Sequence, residues 1–281
     1  MKSIVRTVYG AAVQGVLYTG VPYTKLDYTT LNERFNINPN VLISQYDYPQ
    51  MKYYAIGYGG HIMEVDSDGF GIPVPVQHKS TDASCYRPIP FIMREMNNDL
   101  TPQQRESYAL RRYENFNGIQ YICYYLRRID YSQAEQELTL ITSNNDGTVA
   151  YEPFVPNTSN LNPDPQILSN TNTNVLKGKY VSATILVELE FNEFETEELR
   201  NVANIRFANE NKAIISEIAL VSGLDRKQDM TEAAQGTFTM NEVVAAQVCH
   251  FTNTFKSAAI DNKNFVIGFN IGATEPLFDI G

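Results

Sequence analysis

Apolar and polar positions alternate most cleanly in the last third of the chain. From Tyr180 to Phe191, Ile185, Val187, Leu189 and Phe191 fall on one face, and Thr184, Leu186, Glu188 and Glu190 on the other. A period of two predicts a half-buried strand. Asn264 to Gly272 repeats the pattern, with Phe265, Ile267, Phe269 and Ile271 on one face, and Ala213 to Ser222 predicts another strand. Glu242 to Phe251 fits helix or strand; its Val243, Val244, Val248 and Phe251 tip it to strand, because β-branched and aromatic side chains suit a pleated surface.

Two segments carry helix signals. Thr101-Pro102-Gln103-Gln104 combines a capping threonine, a first-turn proline and a glutamine at the reciprocal position, and predicts a short helix to about Arg112. Asn192 with Glu195 resembles a cap, and Leu199, Val202 and Ala203 form the apolar stripe of the helix that follows.

The first 84 residues read as short extended pieces. Tyr53 to Gly57 and Ile62 to Val65 predict strands on either side of Gly59-Gly60, and Asp66-Ser67-Asp68-Gly69 is a turn by composition. Ile72-Pro73-Val74-Pro75-Val76 is extended and near an edge, since its prolines lack donors. Gly118 is a break, and Ile119 to Ile129 is a tyrosine-rich strand. Leu138 to Thr142 and Thr148 to Phe154 flank Asn144-Asn145-Asp146-Gly147 as a hairpin. Residues 156–178, rich in Asn, Thr, Ser and Pro, read as a linker or long surface loop. The expected organisation is a β-rich region over 1–155, that linker, and a second β-rich region over 179–281 that could join the first in one compact domain. The fold class expected is mainly β: an antiparallel, jelly-roll-like β-sandwich with a few short helices and long loops.

Composition narrows the function. Hydrophobic residues make up 43% of the chain and charged residues 19%, enough for a packed core. The net charge of −10 disfavours direct nucleic-acid binding, which needs clustered Lys and Arg. No run approaches the roughly 20 apolar residues of a membrane helix, and residues 1–20 do not make a convincing signal peptide, so no membrane role is expected. Cys85, Cys123 and Cys249 are far apart and read as buried free thiols, in keeping with synthesis in a reducing cytoplasm.

Motifs that would mark chemistry are scarce. His61, His78 and His250 lack metal-ligand spacing. In Asp66-Ser67-Asp68-Gly69 the twelfth position of a calcium loop is Gln77 rather than Glu. Gly57-Tyr58-Gly59-Gly60-His61 lacks the Lys-Ser/Thr end of a phosphate loop. The expectation is no catalytic residue, no metal and no cofactor.

Charge segregation says more. Seven arginines lie between Arg87 and Arg128, among four acids, whereas Glu188 to Glu198 holds six acids and no base. Beside the plain reading of solvated faces stands a second one. Arg105, Arg111, Arg112, Arg127 and Arg128 of one copy would face Glu188, Glu190, Glu195, Glu197 and Glu198 of the next, in a heterologous contact able to close into a ring. On that reading, reversing Arg111 and Arg112 to Glu disrupts oligomers.

Several segments resemble structural proteins of tailed bacteriophages: residues 1–12, Asn97-Asn98-Asp99-Leu100-Thr101-Pro102 with Tyr108-Ala109-Leu110-Arg111-Arg112, Tyr124 to Asp130, Ile215-Ser216-Glu217-Ile218-Ala219-Leu220 and Gly272 to Phe278. The resemblance implies a virion part of the neck, collar or tail-baseplate type. It would be a non-enzymatic homo-oligomeric ring contacting other virion proteins such as neck, tail or fibre subunits, made in the host bacterial cytoplasm. It carries over no functional residue. A glycan-binding, adhesin-like or baseplate module and a motif-free hydrolase with a carboxylate pair are the alternatives.

Overall fold

A computed structural model describes residues 4–24, 30–144, 146–161, 178–232, 236–260 and 263–277. In chain order it begins with β1 (Ile4–Arg6), α1 (Val8–Thr19), α2 (Thr30–Arg34), β2 (Gln50–Gly57), β3 (His61–Val65) and β4 (Gly71–Pro75). Then come β5 (Pro88–Ile89), β6 (Ile92–Glu95), α3 (Pro102–Arg105), β7 (Tyr108–Phe116), β8 (Ile119–Arg128), β9 (Gln136–Ser143) and β10 (Val149–Pro153). The chain continues through α4 (Thr158–Leu161), β11 (Lys179–Phe191), α5 (Glu193–Phe207), β12 (Ile214–Glu232), β13 (Gly236–Ser257) and β14 (Phe265–Pro276). The fold is mainly β, its sheets antiparallel and sandwich-like, as expected.

Two compact units divide the chain: Met1–Ile129 with Glu190–Phe265, and Asp130–Leu189 with Val266–Gly281. The division therefore falls at Ile129 and within β11, not around 156–178, of which 162–177 lie outside the described residues. Each unit is thus built from two stretches of the chain that are separated in sequence.

The first unit is built on an eight-stranded sheet in the order β1-β13-β12-β2-β8-β6, with β5 also paired to β2 and β7 to β8. Tyr53 and Tyr54 of β2 point to opposite faces and both are fully buried, so both faces of this strand are covered. On the Tyr53 side lie Leu31, Phe35, Ile37, Leu110, Tyr125 and Phe251. The Tyr54 ring meets Phe91 and Phe191 edge-on at 5.1 and 6.1 Å. Helix α5 buries Leu199, Val202 and Ala203, the stripe read from its sequence. Its cap is also as read: the Asn192 side chain accepts from Glu195 N at 2.9 Å, and Glu195 Oε2 accepts from Asn192 N at 3.0 Å. Strands β12 and β13 form a long hairpin with an irregularity where Gly223 lies opposite Ala245 and Ala246; there Ala245 adopts φ 53°.

Two expectations are corrected. The N-terminal 84 residues are not all extended, since α1 and α2 lie there. Helix α1 starts at Thr7, whose side chain accepts from Gly10 N, and buries only Gly10 and Val13, too narrow a stripe to read in advance. The Thr101 helix has its full capping box but ends at Arg105, because Tyr108–Phe116 is drawn into the ladder with β8. Strand pairing overrides local helix propensity here.

In the second unit the sheet order is β10-β9-β11-β14. The β9–β10 hairpin closes where expected: Asn144 N donates to Thr148 O at 2.8 Å and Gly147 takes φ 83°, while Asn145 lies outside the described residues. Among the described residues no helix is long and apolar enough to cross a membrane.

Candidate functional site

The arginines of the 87–128 segment are largely spent inside their own chain. Asp99, with a fully buried side chain, sits 3.3 Å from Arg105 Nη1 and 3.0 Å from Arg111 Nη2, and accepts from Tyr124 Oη at 2.7 Å. The Arg105 guanidinium lies 3.9 Å from the centre of the Phe238 ring. Arg112 pairs with Glu242, Arg127 with Glu195 and Arg128 with Asp225. Arg94 takes Glu198. Arg127 also donates to Tyr54 Oη at 2.7 Å. Of the acids expected at an interface, Glu195 and Glu198 are therefore occupied and buried, whereas Glu188, Glu190 and Glu197 are exposed. Pairing between copies through Arg105 and Arg111 is corrected: both side chains are nearly inaccessible in a single chain. Arg111 faces inward from β7 and Arg105 from the end of α3, and segment charge could not reveal either. Arg87 stays exposed.

Sequence reading missed a second network. His78 Nδ1 lies 3.0 Å from Asp82 Oδ2 and its Nε2 lies 2.9 Å from Glu217 Oε2. The imidazole is stacked between Tyr86 and Phe251 at centroid distances of 4.1 and 3.8 Å. Glu217 also accepts from Gly59 N, Tyr86 N and Arg87 N, each at 2.9 Å. Burial pushes the Glu217 carboxyl up, but the His78 bond and the three backbone donors outweigh it and hold the group below its ordinary value. This explains the glycine cluster. A Cβ on Gly57 would meet Glu217 Oε1 at 2.3 Å, and one on Gly60 would meet Ser216 O at 2.2 Å. The glycines admit the β12 backbone and its carboxylate; they do not cradle a phosphate. The ring faces other side chains throughout, so His78, Asp82 and Glu217 tie loop 78–87 to β12.

Beside this junction the chain leaves the sheet as the β3–β4 arm, a separate two-stranded sheet with His61 opposite Pro75 and Val65 opposite Gly71. Its base is fastened by Val76 N to Gly60 O at 2.9 Å and by the Asn253 side chain to Gly60 O at 3.1 Å. Its tip is an Asx turn in which Asp66 Oδ1 accepts from Asp68 N at 3.0 Å and Phe70 N at 2.8 Å, with Gly69 at φ 85°. Register puts Met63 and Val65 on one face and Ile62 and Ile72 on the other. These four and Phe70 are between 46% and 74% exposed. Both faces of the arm are thus apolar and open.

At the foot of the arm, Tyr58 lines a cleft of about 310 Å³ with Phe207, Ile89, Arg34, Arg87 and Arg206. Arg87 lies 5.5 Å from the Tyr58 ring centre, and Tyr58 meets Phe207 edge-on at 5.0 Å. Glu114 pairs with Arg206, which also donates to Tyr125 Oη at 3.0 Å. Among the described residues no group of three or more His, Cys, Asp and Glu is placed to hold a metal ion. Cys85, Cys123 and Cys249 are free and buried.

Comparison with curated proteins and with solved structures finds no match. A family model matches residues 1–280, and the chain belongs to that family, DUF7208, a family of unknown function.

Proposed function

We propose that this chain is a structural subunit of a tailed-phage particle, acting through contacts with its own copies and with other virion proteins, in a ring of the neck, collar or tail, and carrying out no reaction. The observation that carries the reading is the β3–β4 arm. An isolated two-stranded hairpin is marginal in water, and an apolar patch on both of its faces favours burial against something else. The ionisable groups that could serve chemistry are instead engaged in packing: His78, Asp82 and Glu217 in one network, Asp99, Arg105 and Arg111 in another. The resemblance to tailed-phage structural proteins supplies the setting.

Two measurements test this. Native mass spectrometry of the purified chain should give a closed oligomer, and proteomics of purified particles of the encoding phage should recover the chain at an integral copy number. A chain that stays monomeric at high concentration and is missing from washed particles would overturn the proposal.

A further inference from the structure

We propose that the tip of the β3–β4 arm docks in the Arg34–Arg87–Arg206 cleft of a second copy of this chain, Phe70 packing against the Tyr58–Phe207 pair while Glu64 and Asp68 face the arginines. The inference rests on the oligomeric reading above and names the contact that builds it.

Three observations carry it. The first is charge. From His61 to Gln77 the arm holds Glu64, Asp66 and Asp68 and no Lys or Arg, whereas the cleft holds three arginines against Glu114. Opposite potentials on two patches steer association and fix register. The second is chemistry and size. A cleft of about 310 Å³ with aromatic walls takes one large side chain, and Phe70, 70% exposed at the turn, is the aromatic the arm presents. Buried aromatic anchors ringed by polar pairs are the usual hot spots of interfaces. The third is reach. Tyr58 and Arg87 are joined at the base of the arm, Tyr58 N donating to Arg87 O at 3.0 Å. Strands of five residues carry the tip about 17 Å from that base, at roughly 3.3 Å per residue. An extended arm holds the tip that far from the cleft at its own foot, and the cleft it can enter belongs to another copy. Arm and cleft are different patches of one chain, so the contact is head-to-tail and generates a ring when the rotation closes.

Charge exchange in the full-length chain tests it. Glu64→Lys with Asp68→Lys reverses the arm but spares Asp66, whose carboxylate makes the turn. Arg34→Glu with Arg87→Glu reverses the cleft. By sedimentation velocity or native mass spectrometry, each pair alone should weaken assembly at least tenfold, and the two together should restore it. Circular dichroism and melting temperature verify that each variant is folded. A pairing that avoids mutating the charges gives a second readout: Phe70→Cys with Phe207→Cys should yield disulfide-linked chains under mild oxidation, the native thiols being buried. If the wild type assembles, and neither reversal weakens it nor do the cysteines link chains, the docking is wrong while the virion reading stands. If the wild type does not assemble at all and is missing from particles, the virion reading itself has failed and the docking with it.

Discussion

His78 Nε2 lies 2.9 Å from Glu217 Oε2, and neither side chain is exposed to solvent. The two residues are 139 positions apart, and Glu217 accepts from three backbone N–H groups besides. Removing that acceptor takes the partner from the buried His78 ring and from three part-buried backbone N–H groups at once. Glu217→Ala should destabilise the chain by about 3–5 kcal/mol, because four hydrogen bonds to one buried carboxylate are lost together. Denaturant unfolding followed by tyrosine fluorescence measures it, and a loss below about 1 kcal/mol would show that the network is not structural.

Acid should weaken the same junction. Burial raises Asp82, while the Lys79 N–H, the Tyr86 hydroxyl and His78 lower it further, so Asp82, like Glu217, titrates below its ordinary value. In that window the unfolded chain binds more protons than the folded one, so stability rises with pH. Their contribution is present above the ordinary carboxylate value of roughly 4 and is lost as pH falls through the lower folded values. His250 adds a higher window. Burial, and then the Arg6 charge, lower it to about 4, so the folded chain keeps it neutral while an unfolded histidine takes a proton near 6.5. Stability should therefore fall as pH drops from about 6.5 towards 4, and His250→Phe should flatten that part of the profile while leaving the lower part in place. Unfolding midpoints across pH 3 to 7 separate the two, and an NMR titration midpoint for His250 near 6.5 would contradict the assignment.

Gly60 and Gly69 should respond differently to the same change. A Cβ at Gly60 would lie 2.2 Å from the Ser216 carbonyl oxygen, a backbone atom of β12. Gly60→Ala should cost about 3 kcal/mol, at the upper end for overpacking a rigid site. Gly69 has open space around it, and only its φ of 85° disfavours a side chain. Gly69→Ala should cost about 1 kcal/mol, confined to the arm. Equal melting temperatures for the two variants would remove the close-approach explanation of the glycine cluster.

What could be read in advance was local or periodic. The alternation in β11 and β14, the caps at Thr101 and Asn192 and the Asp146-Gly147 turn depend on residues a few positions apart, and all lie where their patterns put them. Helix α1 escaped because its contact with β13 is made by a glycine: a Cβ on Gly10 would meet Cys249 O at 2.4 Å, and such proximity leaves no apolar stripe. The His78–Glu217 pair escaped because its partners come from different strands and loops, and a lone histidine carries no mark of the carboxylate it will meet. The arm was legible as two strands, but Ile62, Met63, Val65 and Ile72 read equally well as a buried hairpin. Their exposure depends on the sheet they do not join.

The charge segregation of the Arg87–Arg128 segment was legible, and its meaning was not, which makes Asp99 the residue to test. Asp99 balances Arg105 and Arg111, whose side chains are 5% and 1% exposed. Asp99→Ala would take the counter-charge from the buried Arg111 guanidinium and should cost about 3–5 kcal/mol. Arg200 and Glu210 also pair, but with side chains 37% and 52% exposed, and Arg200→Ala should change stability by less than about 1 kcal/mol. Chemical denaturation of both variants gives the contrast directly. Reversing Arg111 with Arg112 should unfold the chain, since it sets a carboxylate against Asp99 and another against Glu242. Loss of oligomers in that variant would then report the fold and not an interface. A folded, monomeric chain carrying both reversals would instead return Arg111 and Arg112 to the contact between copies.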